Sequence, residues 1–430
     1  MSVSASVAGA IGAGFAGLSY EKNSMAVPRF APNNADLIGL FNRLGPSLLR
    51  IGGNSVDETQ WTPNGAGRTS GGVAPSDIDA LAGFLQACGW SVLYGVNLAT
   101  STPAAAAAEV AYAVQSLGSS LYAIEIGNEP DLYGGNYFTT WSLEDFEQLW
   151  GEFRTAILQA APKVQLTGPA SAGNISTWTV PFGQHVGSSE IILLTQHYYR
   201  GNGQSASSTV AELVSPDPNL IADLATLKAG AATIGVPFRI TETNSFYNGG
   251  ADGVSDSYAS SLWVIDDLFN IALGGGTGAN FHGGGDGDGY TPIADNDGVV
   301  VEARPEYYGL LLFTLAGQGT LMQTSVAAAG LNVTAYAVLA SDGGLSVVVV
   351  NKDTVQNLAL SVDTGRNVNT AALLALTGPA LSATTGVSIQ GAAVAQTGDF
   401  APAAAYTPTV AAGMVTCYVP AASAVLIQIT

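Results

Sequence analysis

Along the first three quarters of the chain, short apolar runs alternate with longer stretches whose apolar residues recur at helical spacing. Runs of four to eight apolar residues read as strands, and a recurrence every three or four residues reads as amphipathic helix. Strands are predicted over 14–19, 48–51, 91–96, 122–126, 164–167, 191–198, 238–241 and 278–282. Helices are predicted between them, over 76–89, 142–161, 219–235 and 255–273. The first has Ser76 and Asp77 at its start, Ile78, Leu81, Phe84 and Leu85 on one face, and Gly89 as a stop. The second opens on SLEDFEQLW, a serine cap with acidic residues in the first turn, where the helix dipole favours them. The Ala-rich patch at 104–108 reads as helix filler.

Eight strands alternating with helices over about 300 residues predict an α/β fold, a (β/α)₈ TIM barrel. A doubly wound open sheet is the competing arrangement, but no GxGxxG follows the first strand in a strand–turn–helix context. Near residue 317 the pattern changes. Strand-like runs at 331–339, 345–350, 358–362 and 424–429 are separated by Gly, Asn, Asp and Thr turns, which suits an antiparallel β-sandwich. The expected organisation is a catalytic barrel over 10–316, ending in a helix that starts at Pro305, and a sandwich over 317–430. The alternating residues 1–9 are expected to add a strand to the sandwich.

Composition narrows the function. The chain has 13 basic and 33 acidic side chains, a net charge of −20, and only 11% charged residues. Phosphate neutralisation needs clustered Lys and Arg, so no nucleic-acid partner is expected. No unbroken apolar stretch is long enough for a membrane span, so no membrane association is expected either. Two cysteines are not a disulfide framework, and His185, His197 and His282 have no metal-ligand spacing. His197 and His282 read as satisfied core histidines.

The informative run is IEIGNEPD, 124–131. Alternation puts Ile124 and Ile126 on one face and Glu125 on the other, leaving Asn128 and Glu129 at the strand's C-terminal end. That end of a barrel strand is where catalytic residues sit. Pro130 is expected to keep Glu129 out of helical geometry. A second run, ITETNSFY at 240–247, places Glu242 at the close of the seventh predicted strand. A carboxylate ending an apolar strand is costly to bury without a partner or a task. One glutamate after strand four and one after strand seven face each other across a barrel mouth. Paired carboxylates, one protonated and one ionised, are the equipment for glycosidic bond cleavage. Neither metal nor organic cofactor is called for.

With these residues in place, the chain resembles a known family. GNEP at strand four with a strand-seven glutamate is shared by the clan of retaining barrel glycosidases. ITETNSFYNGG, LLRIGGNS and ARPEYYGLLLF make it similar to glycoside hydrolase family 79, which contains β-glucuronidases and heparanases. The resemblance covers the whole chain. It implies Glu129 as acid/base, Glu242 as nucleophile and Asn128 as a ligand of the sugar 2-hydroxyl. It implies that Tyr198, in QHYYR, orients the nucleophile. Tyr247, Gly289 and Tyr290 would bind the uronic acid carboxylate, and Glu21 would bind sugar hydroxyls. Arg50 is expected to pair with a buried glutamate rather than touch substrate. The run GGGDGDG at 283–289 lacks the register of a calcium loop.

Heparanases that cut sulfated chains are expected to carry basic residues around the cleft. Here four lysines and nine arginines are dispersed along the sequence, and the net charge opposes a polyanion. The leading expectation is a retaining exo-β-glucuronidase acting on a carbohydrate with terminal glucuronic acid. An endo-acting heparanase-type enzyme, a clan relative acting on a neutral sugar, and a carbohydrate-binding protein on a degenerate barrel are the alternatives. A monomer is expected, secreted or periplasmic, with the export signal absent from this chain.

Overall fold

The computed structural model describes residues 1–430 except Asp288 and Ala329. Asp288 falls in the GGGDGDG run, so that stretch of the calcium-loop reading lies outside the described residues.

Eight parallel strands close into a barrel: Ala16–Glu21, Leu48–Gly52, Ser91–Val96, Leu121–Ile126, Leu166–Ser171, Leu193–Asn202, Phe238–Tyr247 and Ala279–Gly283, barrel strands one to eight. Strand one pairs with strand eight, and strand six with strand seven, so no edge is left. Residues on both faces of these strands are buried, which is why they read as near-continuous apolar runs. The helices form where their caps direct. The Ser142 hydroxyl accepts from the Asp145 N–H while the Asp145 carboxylate accepts from the Ser142 N–H, starting Leu143–Ala160. Pro75–Cys88 stops at Gly89, whose φ of 69° closes the helix in a left-handed cap.

Strands six and seven outrun their predicted ends. Strand seven continues to Tyr247, and Glu242 lies inside it, at a register shift between Ile240 and Glu242 in the pairing with strand six. A bulge there re-aims a side chain that an unbroken pleat would send elsewhere. The apolar run predicted only the strand's first half because its second half, Glu242 to Ser245, is polar yet buried.

The C-terminal part is an antiparallel sandwich built from one continuous ten-stranded sheet. Leu360, Val362 and Val415 share a core with Val347, Val425 and Ile427, although other strands lie between them, so the sheet curls over its own apolar face. Ser2–Ile11 is one of its strands and pairs with Gly319–Ser325. The barrel's last helix, Pro305–Ala316, leads straight into Gly319–Ser325. The sheet is fixed to the barrel through Phe269 stacked on Tyr336 at 4.2 Å and through Asp266, which accepts from Tyr336 and pairs with Lys352. No helix among the described residues is long and apolar enough to cross a membrane.

Asp267 lies next to that join, 2% exposed, with no hydrogen-bond partner among the described residues on either carboxylate oxygen. Burial first, then the charge of Asp217, hold its pKa well above the usual carboxylate range. The Glu306 carboxyl is raised in the same way, by burial against the opposing hydrogen bond from Asn244. A carboxyl whose pKa is raised on folding contributes its full stability below the unfolded value of about 3.9, and loses it as pH rises through the folded pKa. Asp267→Asn is therefore expected to leave the melting temperature near pH 4 little changed and to raise it on the alkaline side. A melting-temperature profile from pH 4 to 10 checks this; equal shifts at both ends would contradict it.

Candidate active site

Arg50 organises the mouth of the barrel from the middle of strand two. Its side chain is fully enclosed, and each guanidinium nitrogen has a separate partner. Nε donates to Glu125 at 2.6 Å, Nη1 to Glu242 at 2.7 Å and Nη2 to the Asn128 side-chain oxygen at 2.9 Å. Burial alone would lower its pKa, but Glu125 and Glu242 raise it further, so the cation is permanent. A planar fork with fixed donor directions suits this task in a way a lysine would not.

Glu242 has both oxygens engaged. Oε2 accepts from Arg50, and Oε1 accepts from the Tyr199 hydroxyl at 2.9 Å. Burial would raise its pKa, but His282, His197, Arg50 and the Tyr199 hydroxyl outweigh it and hold the group well below the usual carboxylate range. These contacts favour its ionised form.

Glu129 is held differently. It follows strand four with a φ of 51° and ψ of 51°, left-handed and immediately before Pro130. Such a conformation is uncommon for a residue with a side chain, and costs about 1–3 kcal/mol. It is kept by the Glu129 N–H donating to the Ala170 carbonyl across the end of strand five. The carboxylate meets His197 Nδ1 at 3.0 Å and is partly open to the cavity. Asn128 beside it is fixed through its backbone N–H to Asp57, itself tied to Tyr133.

An oxygen of Glu129, one of Glu242 and a ring nitrogen of His197 all lie within 4.8 Å of one another. This is the one group among the described residues with the spacing to hold a metal ion. With both Glu242 oxygens already committed to Arg50 and Tyr199, it is better suited to a carboxylate pair.

The pair opens into a cavity of about 910 Å³. Glu21, Asn128, Tyr247, His282 and Tyr290 are in its wall, and among the described residues no Lys or Arg lines it. Glu21 ends strand one, and its carboxylate accepts from the N–H groups of Asn54 and Ser55 and from the Ser55 hydroxyl. Gly53, with φ 74°, lets the chain pass so close that any Cβ there would collide with the Glu21 carboxylate. Tyr247 is 45% exposed at the rim, with its ring 6.3 Å from that of Tyr199. Tyr290 is buried in the wall, 6.3 Å from Tyr199 and 6.1 Å from His282 between ring centres. Gly289 is buried and is not among the described residues that line the cavity.

Tyr198 does not reach Glu242. Its hydroxyl donates to Asp217 at 2.7 Å, outside the barrel, and Tyr199 takes the place expected for it. The reason is the period-two alternation of strand six, which sends His197 and Tyr199 inward and Tyr198 outward. Two adjacent tyrosines leave the parity open until the register is known. A hydrogen bond to a charged group is worth about 1.5–3 kcal/mol. Tyr199→Phe is therefore expected to lower kcat/KM about 10- to 100-fold. Tyr198→Phe should leave kcat/KM unchanged and lower only the melting temperature. Steady-state kinetics of the two variants side by side would decide.

No protein-family model matches the chain. In sequence it is 24% identical over 363 residues to a β-glucuronidase of Aspergillus niger, a match covering 74% of this chain. The chain is thus similar in sequence to a fungal β-glucuronidase. The match spans 65% of that relative's length. Among solved structures, a 4-O-α-L-rhamnosyl-β-D-glucuronidase from Fusarium oxysporum 12S superposes with a TM-score of 0.85 at 20% identity, covering 100% of both chains. A family 51 α-L-arabinofuranosidase from Bifidobacterium longum superposes at 0.73 with 14% identity, covering 100% of this chain and 99% of that one. These likenesses show the fold, a (β/α)₈ barrel with a C-terminal sandwich.

Proposed function

We propose that the protein is a retaining β-glucuronidase that removes terminal β-linked glucuronic acid from glycans or aryl glucuronides. The observation that carries this reading is the Glu129–Glu242 pair, with oxygens within 4.8 Å across the cavity floor. Retaining glycosidases hold their carboxyl groups about 5–5.5 Å apart, whereas inverting ones leave about 6.5–9.5 Å for a water. The environments also divide the labour. Glu242, ionised and pinned at both oxygens, attacks the anomeric carbon. Glu129, partly open, gives its proton to the leaving oxygen and then takes one from the incoming water. Asn128, fixed by Arg50, faces the position of the 2-hydroxyl.

The uronate is read by Tyr247 and Tyr290 without a formal positive charge in the wall, as hydroxyls and backbone N–H groups suffice for one carboxylate. The absence of Lys and Arg from the described lining speaks against a sulfated chain. The homology to a fungal β-glucuronidase supports the same sugar. Glu21 has the weaker case as a hydroxyl ligand, since its oxygens already accept from the loop at Asn54 and Ser55. The reading is of an exported enzyme.

The cavity also allows a second reading, release of a capped uronide. At about 910 Å³ it is at the upper end of the roughly 300–1,000 Å³ of sites that bury a whole small molecule. The Fusarium structural neighbour is described with a bound rhamnosyl-glucuronic acid. Nitrophenyl β-glucuronide should be hydrolysed while the matching β-glucoside, β-galactoside and β-xyloside are left nearly untouched. Clear activity on a neutral sugar and none on the glucuronide would refute the assignment. A glucuronide accepted only when its 4-hydroxyl is glycosylated would favour the second reading.

A further inference from the structure

We propose that His282 is a positioning residue, the cation that bridges Glu21 and Glu242, and that it turns its charge toward the substrate carboxylate when Glu242 is esterified. This rests on the glutamate-pair reading above. His282 sits on strand eight, buried between the two carboxylates. Its Nε2 is 3.6 Å from Glu21 Oε1, its Nδ1 is 3.6 Å from Glu242 Oε2, and Nδ1 is 3.1 Å from the Ser19 hydroxyl. Only the doubly protonated ring presents a donor at both nitrogens.

The charged and titratable groups that face the ring come from four places. They are Glu242 on strand seven, Glu21 on strand one, Arg50 on strand two and Tyr290 after strand eight. Burial pushes the imidazole down and Arg50 opposes its charge, but Glu242 and Glu21 outweigh both and raise it to about 9. The cation in turn helps to keep Glu242 ionised.

The reaction then moves charge across the cavity. In the first step a Glu242 oxygen bonds to the anomeric carbon as the bond from that carbon to the leaving oxygen breaks. The Glu129 proton passes to the leaving oxygen. Glu242 becomes a neutral ester, and the negative charge appears on Glu129, beside His197. Arg50 keeps Glu125 as its partner. Of its two carboxylate partners, His282 keeps Glu21. The side chain next to it in the same wall is Tyr290, part of the expected uronate site, so the freed half of the imidazolium charge faces the substrate carboxylate. A neutral sugar gains nothing from it.

Two measurements test this. In His282→Gln the acid limb of kcat/KM should move up by about one pH unit, since Glu242 has lost a stabilising cation. The preference for glucuronide over glucoside should fall about tenfold or more. A packing role alone would move neither. The second measurement uses the unmutated protein. The ring titration of His282 is followed by NMR before and after trapping with a 2-fluoro glucuronyl fluoride. Trapping should still lower the titration by about one unit, because the Glu242 charge 3.6 Å from Nδ1 is lost and the uronate on the Tyr290 side replaces only part of it. Labelling at Glu242 with an unmoved His282 titration would overturn the bridge while leaving the glutamate pair intact. Absence of label at Glu242 would overturn the glutamate assignment itself, and the bridge with it.

Discussion

Glu242→Gln is expected to remove turnover of every β-glucuronide, a loss of about 10⁴-fold or more, because the covalent route has no substitute nucleophile. The fold should survive. Gln is isosteric, and its amide can still accept from the Tyr199 hydroxyl or from Arg50. The neutral side chain leaves part of the Arg50 charge to Glu125 alone. The informative companion is Glu242→Gly with added azide. Azide should enter the vacated space beneath the sugar, restore turnover of an activated substrate, and give the α-glucuronyl azide. A β product, or no rescue with the fold intact, would assign the nucleophile elsewhere.

Glu129→Ala is expected to behave differently with different leaving groups. Proton donation contributes about 10²–10⁴-fold for a leaving group that needs it. Nitrophenolate leaves unaided, so the first step on nitrophenyl glucuronide should survive, and the glycosyl-enzyme should accumulate as a burst. An alkyl or glycan leaving group should lose the full factor. Azide here should give the β-glucuronyl azide, opposite to Glu242→Gly, because it attacks the intermediate from the face that Glu129 serves. Equal losses on both substrate types, measured by presteady-state kinetics, would show that Glu129 is not the acid.

The barrel was legible in the sequence because parallel strands buried on both faces are written as apolar runs, and the intervening helices carry caps such as Ser142 and stops such as Gly89. The carboxylates of Glu129 and Glu242 stood out because so few other acidic residues end an apolar run. What the sequence hid was parity and bulging. In QHYYR nothing says which tyrosine points inward, and the register that decides it belongs to strand seven, with which strand six pairs. The buried polar half of strand seven fell outside the predicted strand. His197 and His282 were legible only as isolated histidines, since their partners, Glu129, Glu21 and Glu242, come from other strands. Arg50 was expected to meet a buried glutamate. That it joins Glu125, Glu242 and Asn128 at once is a property of the closed barrel, not of any window of sequence.

The strand Ser2–Ile11 pairs with Gly319–Ser325, so more than 300 residues of barrel are threaded between two adjacent strands of one sheet. In chain-connectivity terms the barrel is an insertion, and the sheet is the host. During synthesis the first strand must wait, unpaired, until the whole barrel has been made. Such long-range pairing slows folding because loop closure must precede the contacts that reward it. Once formed, it ties both parts into one cooperative unit. A cut after Ala316 would not release an independent barrel: it would leave the strand Ser2–Ile11 unpaired at the N-terminus and uncover the Phe269 face. The sheet thus closes the chain around the barrel, with neighbouring strands drawn from either side of the insertion.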